Sequence, residues 1–407
     1  MTSLCLERAG AVPLAVDITI SDIRCDKDFL GPLLPYTSRI SCLRLAGFLF
    51  VETVAVRLPG LFHSPMLNLT SLELEQTIEP IDPLPLSENP PSSVFQHVAK
   101  LKSLCLTRTP LYPALLNVMS LRELKLLGYT NPFRFGTLIR FLHSNPNLET
   151  VVLDIHFVEG SVEIAPVANA PLPRLQHLSV TCSKAVDSRG LLSCISLPRG
   201  VHLEVTSTQP DQHAQLGTFL PSPPTPVLEM LGPITTIKTQ LTPQELQVFG
   251  DGSAFIFRSS KALLGIHPEF MLFSTATVRE LYTNIHPFTY HVVTAIPWLL
   301  GLLPALETLA FSKIAFPLGL LSALTQEPVL CPALRTIAFF DCGVNSDLIQ
   351  GLGEAITKRR DLMAARLYQV VIVDSAGMLP DLASIQQLRK SIPCVKARMD
   401  DKLPDLS

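Results

Sequence analysis

The chain has 407 residues, 47% hydrophobic and only 16% charged, so it can bury a large core and is not intrinsically disordered. A net charge of −3 and a pI of about 6.4 leave no global basic field, and the sequence predicts no nucleic-acid partner. Thirty-five prolines call for sharply turned connections rather than long helices.

The opening MTSLCLERAG lacks the apolar stretch of a signal peptide, so a cytoplasmic or nuclear protein, not secreted, is expected. PLAVDITI then reads as a strand with Val16 and Ile18 on one side. From there one pattern recurs: an apolar residue, two free positions, then two apolar residues separated by one. It starts at Ile40 (Leu43, Leu45), Leu69 (Leu72, Leu74), Leu101 (Leu104, Leu106), Leu121 (Leu124, Leu126), Leu148 (Val151, Leu153) and Leu175 (Leu178, Val180). It weakens at GVHLEV (Leu203, Val205) and ITTIKT (Ile234, Ile237). It returns at Val278 (Leu281), Leu306 (Leu309, Phe311), Leu334 (Ile337, Phe339) and Leu367 (Val370, Ile372). The starts lie 29, 32, 20, 27 and 27 residues apart in the first run, and 28, 28 and 33 in the second.

Alternation puts both leucines of each strand on one side. A single strand cannot bury such a face, whereas stacked neighbours bury a continuous spine. Between the strands, SVFQHVAK, FGTLIRFLHS, DSRGLLSCI, TYHVVTAIPWLLGLL and NSDLIQGLGEAITKRR carry helical spacing. The expected fold is therefore an α/β leucine-rich-repeat solenoid, a horseshoe with irregular repeats of 20–33 residues. Ordinary doubly wound domains would not keep one period over so many strands.

Segment 207–233 contains six prolines and breaks the spacing, as a linker or as an insertion. The expected division is a repeat block over 1–206, the Pro-rich 207–233, a second block over 234–377, and a cap over 378–407. In that cap, Leu382, Ile385 and Leu388 form a helix face before a short strand. The apolar run from Ala295 to Leu306 is broken by Pro297, Gly301 and Pro304 and is too short for a bilayer, which takes roughly 20 residues. No membrane partner is expected. Lys358, Arg359 and Arg360 read as the end of a helix, where positive charge suits the dipole, rather than as a nucleic-acid patch.

LERAGAVPLAVDITI, LPRLQHLSVTCS, LLSCISLPRGVHLEV, LPALETLAF and LRKSIPCVKARMDD resemble the leucine-rich-repeat region of F-box proteins of mushroom-forming fungi. In those proteins the F-box docks to the adaptor of a cullin-RING ubiquitin ligase and the repeats present substrates. No F-box-like segment precedes MTSLCLERAG, so the resemblance implies the recognition half without the docking half. The gene model is truncated, or the repeats stand alone; only an upstream F-box would add the ligase adaptor as a partner.

Nine cysteines without a Cys-x-x-Cys pair give weak zinc and disulfide readings and suit a reducing compartment. Phosphate-loop, nucleophile-elbow and zinc-helix motifs are missing from the sequence, so no catalytic residue, cofactor or metal is expected. Asp154 and His156 are a conceivable acid–base pair without a third group. The alternative to a binding protein is an enzyme or enzyme regulator with its site in 207–260.

If the leucines face the core, the intervening residues point away from it, on the concave face of the sheet. That rule gives Asp17, Glu73, Glu75, Glu123, Asp154, Glu204 and Glu280 against Arg44 and Lys125, with His177, His202, Tyr282, Phe340, Val152 and Leu127 uncharged. Such a face would take a protein partner with a basic segment, Tyr282 and Phe340 serving as anchors. A plainly solvated sheet face, or Phe340 packed against the next helix, are the alternatives.

Overall fold

A computed structural model describes residues 10–20, 31–47, 66–76, 98–109, 118–128, 135–155, 170–208, 216–222, 225–241, 244–259, 272–284, 291–313, 318–362, 367–374 and 380–398. The architecture is mixed α/β with a large parallel sheet. The chain divides into two compact units, Met1–Gln209 with Thr218–Val227, and Pro210–Gly217 with Leu228–Ser407.

The first unit contains β1 (Leu14–Ile20), β2 (Ile40–Gly47), β3 (Ser71–Gln76), β4 (Ser103–Thr107), β5 (Glu123–Leu127), β6 (Thr150–Ile155), β7 (Ala170–Pro171), β8 (His177–Cys182), β9 (Ile195–Ser196) and β10 (His202–Ser207). The order β1-β2-β3-β4-β5-β6-β8-β10 is parallel throughout, while β7 pairs separately with β9. Register aligns the apolar residues into columns. One runs Val16, Leu43, Leu72, Leu104, Leu124, Val151, Leu178, Leu203; the next runs Ile18, Leu45, Leu74, Leu106, Leu126, Leu153, Val180, Val205. From Leu72 and Leu74 onward both columns are completely buried, whereas Val16 and Ile18 at the sheet end are half-exposed.

A four-residue turn precedes most strands. The amide of its last residue donates to the carbonyl of its first: Leu69 to Met66, Leu101 to Val98, Leu148 to Asn145, and Leu175 to Leu172. First and last residues are buried, and they hold the turn against the core. Its second position is exposed and needs a φ near −65°, which is why Pro146 and Pro173 stand there. The prolines therefore punctuate the repeat. The helix Phe135–Ser144 buries Phe135, Leu138, Ile139, Phe141 and Leu142, and the helix Ala185–Ser193 buries Leu191 and Leu192; both fall where helical spacing predicted them. Residues 94–97 of the helix read in SVFQHVAK lie outside the described residues.

The second unit contains β11 (Thr236–Leu241), β12 (Gln244–Phe249), β13 (Ala254–Ser259), β14 (Glu280–Thr283), β15 (Thr308–Ser312), β16 (Thr336–Phe340), β17 (Gln369–Val373) and β18 (Cys394–Arg398). From β14 through β18 the strands are parallel, and β11 joins β14 in the same sense. The buried column is Ile237, Leu281, Leu309, Ile337, Val370 and Val395, with Phe311 stacked on Phe339 at 5.7 Å beside it. The same turn recurs as Leu303–Leu306 and Cys331–Leu334, with Pro304 and Pro332 at its second position.

Parallel stacking fails in one place. β12 runs antiparallel to both β11 and β13. The sequence QELQVF holds a strand that the repeat template passed over. The links on either side are too short for a parallel crossover and permit only hairpins. At the second link, Gly250 passes under the end of the helix Thr225–Leu231: Asp251 N donates to Leu231 O at 3.2 Å, and Ser253 Oγ donates to Met230 O at 2.9 Å. A Cβ at Gly250 would collide with the Leu231 carbonyl. Gly250→Ala should therefore cost about 2 kcal/mol or more, as overpacking against a backbone atom does, measured by urea unfolding.

One reading at the carboxyl end needs correction. The helix Leu382–Ser391 forms, and Asp381 caps it by accepting from Ser384 N at 2.8 Å. Leu382, however, is 68% exposed, because it is the first residue after the cap; Ile385 and Leu388 make the buried face. Lys358, Arg359 and Arg360 do close a helix, but Arg359 turns inward. It lies in the helix Ser346–Asp361, is 1% exposed, and donates to Leu330 O at 2.9 Å and Cys331 O at 2.5 Å.

Candidate interaction face

The side of the sheet opposite the leucine columns carries the candidate residues. In the first unit, register forms a column of Asp17, Arg44, Glu73, Cys105, Lys125, Val152, Ser179 and Glu204. The acids there are not bare. Arg44 binds Asp17 at 3.2 Å, Glu73 at 3.1 Å and Glu75 at 2.7 Å, spanning three strands. Those carboxylates hold its guanidinium more firmly protonated still, Glu73 contributing most. Lys125 meets Glu123 at 2.6 Å, and Ser103 Oγ donates to the same carboxylate at 2.8 Å. The contact with Lys125 and then Ser103 pulls the Glu123 carboxyl below its usual range.

Asp154 has a backbone task. Gly128, at a left-handed φ of 64°, ends β5, and its amide donates to Asp154 Oδ2 at 3.0 Å. At other strand ends the left-handed residue donates to a carbonyl of the next strand, as Arg108 does to Leu127 O and Asp341 to Val373 O. His156, its conceivable partner, lies outside the described residues. His177 and His202 stack at 5.1 Å, and burial lowers the His177 pKa, favouring the neutral ring.

The second unit places Glu280, Tyr282 and Phe340 on its own outer face. Glu280 Oε2 accepts from Thr236 Oγ1 at 3.3 Å and from the Tyr282 hydroxyl at 3.5 Å. Burial first, and Glu280 second, raise the Tyr282 pKa. Between Phe249 and Tyr282 lies Lys238, its ammonium 5.0 and 5.7 Å from the two ring centres. Burial lowers the Lys238 pKa, opposed by Glu280. Phe340 is 7% exposed and packs with Ala310 and Ala338 on the outer face, bordered by Tyr282, Val371 and Val373. All the residues of that cluster stand on strands.

Lys238, the Arg258–Glu245 pair at 2.9 Å, and Lys396 beside Val371 are among the outer-face residues that sequence reading missed. Lys238 was within reach, since Ile237 facing the core turns its neighbour outward. Arg258 and Glu245 depended on recognising β12.

Burial pushes the thiols of Cys182 and Cys331 up to about 12, the state of inert core cysteines. Among the described residues no group of three His, Cys, Asp or Glu is placed to hold a metal, and no helix is long and apolar enough to cross a membrane. No family model and no curated protein matches the chain. Among solved structures it is similar to a leucine-rich-repeat protein of Leptospira interrogans, at 14% identity over 98% of each chain and a TM-score of 0.37.

Proposed function

We propose that the protein is a non-catalytic interaction scaffold of leucine-rich-repeat type, a horseshoe solenoid that receives a protein partner on the concave face of its sheet. The observation that carries this is the division of labour within each strand. Leucines on one side are wholly buried in the core, and the alternate side chains, grouped by register into charged columns, are left for recognition. The proposed contact residues are Glu73, Glu75, Glu123, Asp154, Glu204, Glu280, Tyr282 and Phe340. In the first unit six acids stand against Arg44 and Lys125, which favours a partner with a basic segment. Residues 1–206 and 234–377 are proposed as the two repeat blocks, 207–233 as their connection and 378–407 as the cap. The family resemblance extends the proposal to substrate recognition for a ubiquitin ligase, its adaptor joining only through an upstream F-box.

The test uses partners captured from the native host and re-tested as purified pairs with the full chain. Glu75→Lys places a second cation beside Arg44. It should slow association with a basic partner several-fold at low ionic strength and little at high ionic strength, read by stopped-flow. An association rate indifferent to both salt and the substitution would leave the face as solvated surface.

A further inference from the structure

The entry turns of the first unit carry side chains that its core does not explain. At the exposed second position before β3 and β5, where Pro146 and Pro173 stand in later repeats, the chain presents Leu67 and Met119, 57% and 66% exposed, and Val12, two residues ahead of β1, is 64% exposed. A single exposed apolar residue means little. These three precede β1, β3 and β5, and the strands are in register, so they recur along one edge roughly 10 Å apart.

The same edge is basic. Lys100, Lys102, Arg122 and Arg174 are exposed at or just after the turns, and Arg39 is half-exposed beside Val12, whose carbonyl it binds at 3.1 Å. Against them stands Glu149, paired with Arg122 at 3.3 Å. Lys100 donates to Asn68 Oδ1 at 3.3 Å, which keeps it over the Leu67 turn. A protein of net charge −3 thus gathers positive charge and aligned apolar side chains on one border, next to an outer face dominated by acids.

We propose that this border is a second docking surface, and that it takes an acidic protein segment bearing apolar side chains. The proposal rests on the scaffold reading only in taking the partner to be a protein. Charge complementarity selects an acidic occupant. The neighbouring acids select a narrow one: the Glu123 and Glu73 columns begin roughly 3–10 Å farther along the strands, within about one Debye length. A broad anionic surface such as a bilayer would meet those carboxylates, whereas one peptide segment lies on the turns and clears them.

The probe is a fluorescent helix-forming peptide of glutamate and leucine, with a serine-for-leucine control, titrated against the full chain by anisotropy. Phosphatidylcholine vesicles with and without phosphatidylserine form a parallel arm. Two double variants are compared, Lys102→Glu with Arg174→Glu, and Leu67→Ser with Met119→Ser, each required to melt with the parent. The leucine peptide should bind and the serine control should not. Charge reversal should weaken binding by about tenfold at low ionic strength and much less at high ionic strength. The serine variants should weaken it at both. If neither pair changes binding, the edge is not the site and the proposal is overturned; phosphatidylserine-dependent vesicle binding lost in the same variants overturns it in favour of a membrane. The outer-face proposal is untouched by either result, because its test substitution, Glu75→Lys, lies off this edge.

Discussion

Leu124→Asp should unfold the amino-terminal unit. Leu124 is wholly buried in β5, aligned with Leu104 on one side and Val151 on the other. The substitution removes a packed side chain and leaves a carboxyl group without a partner among aliphatic neighbours, a loss of about 4 kcal/mol or more. Repeats are stabilised by their neighbours, so the damage should extend to β4 and β6 rather than stay in one strand. Circular dichroism melting and urea unfolding give the readout. A melt within a degree or two of the parent would mean that the register of the leucine columns is wrong.

Arg359→Ala is the second large effect, and its cause is different. The guanidinium is 1% exposed and closes the chain around Leu330 and Cys331 by binding both carbonyls, while its Nε finds no partner. Burial lowers its pKa, with the Cys331 thiol as a smaller opposing influence. Truncation leaves one buried and one partly buried acceptor and a cavity, worth about 3–5 kcal/mol. Arg359→Lys should recover only part of this, since one ammonium cannot reproduce the fork that reaches two carbonyls. Urea unfolding of the three proteins decides: equal midpoints for parent and alanine variant would show that the buried guanidinium contributes nothing.

The leucine columns were legible because each strand states its inward side twice, as at Leu104 and Leu106 or Leu124 and Leu126, and the repeat states it again. The helix Phe135–Ser144 was legible for the same reason, with Leu138, Phe141 and Leu142 on one side. β12 was not, since a template of parallel repeats has no place for a strand reached through so short a link. Arg359 resembled its neighbours Lys358 and Arg360 in sequence and differs only in where the helix turns it. The acids of the outer face were placed by alternation alone, but alternation says nothing of partners. That Arg44 gathers Asp17, Glu73 and Glu75, or that the Gly128 amide occupies Asp154, depends on residues 26 to 31 positions apart becoming neighbours. Phe340 lies over Ala310 and Ala338 because two successive strands offer methyl groups on the outer side, a coincidence of register.

The half-exposed Val16 and Ile18 of β1 imply a gradient in amide exchange. β3 and β4 bury both inward residues completely and have a strand on either side, whereas β1 is the first strand of its sheet order and, among the described residues, pairs with β2 alone. Its side-chain ties to β2 and the preceding turn include the Arg44–Asp17 ion pair and the bond from Arg39 to the Val12 carbonyl. Local opening is cheapest where least apolar surface is uncovered, so the amides of β2 that pair with β1 should exchange first and those of β4 and β5 last. Because one of the ties is an exposed ion pair, added salt should quicken exchange at that end while leaving the inner strands unchanged. The terminal strand would then act as a fuse for the unit, opening ahead of the spine it borders.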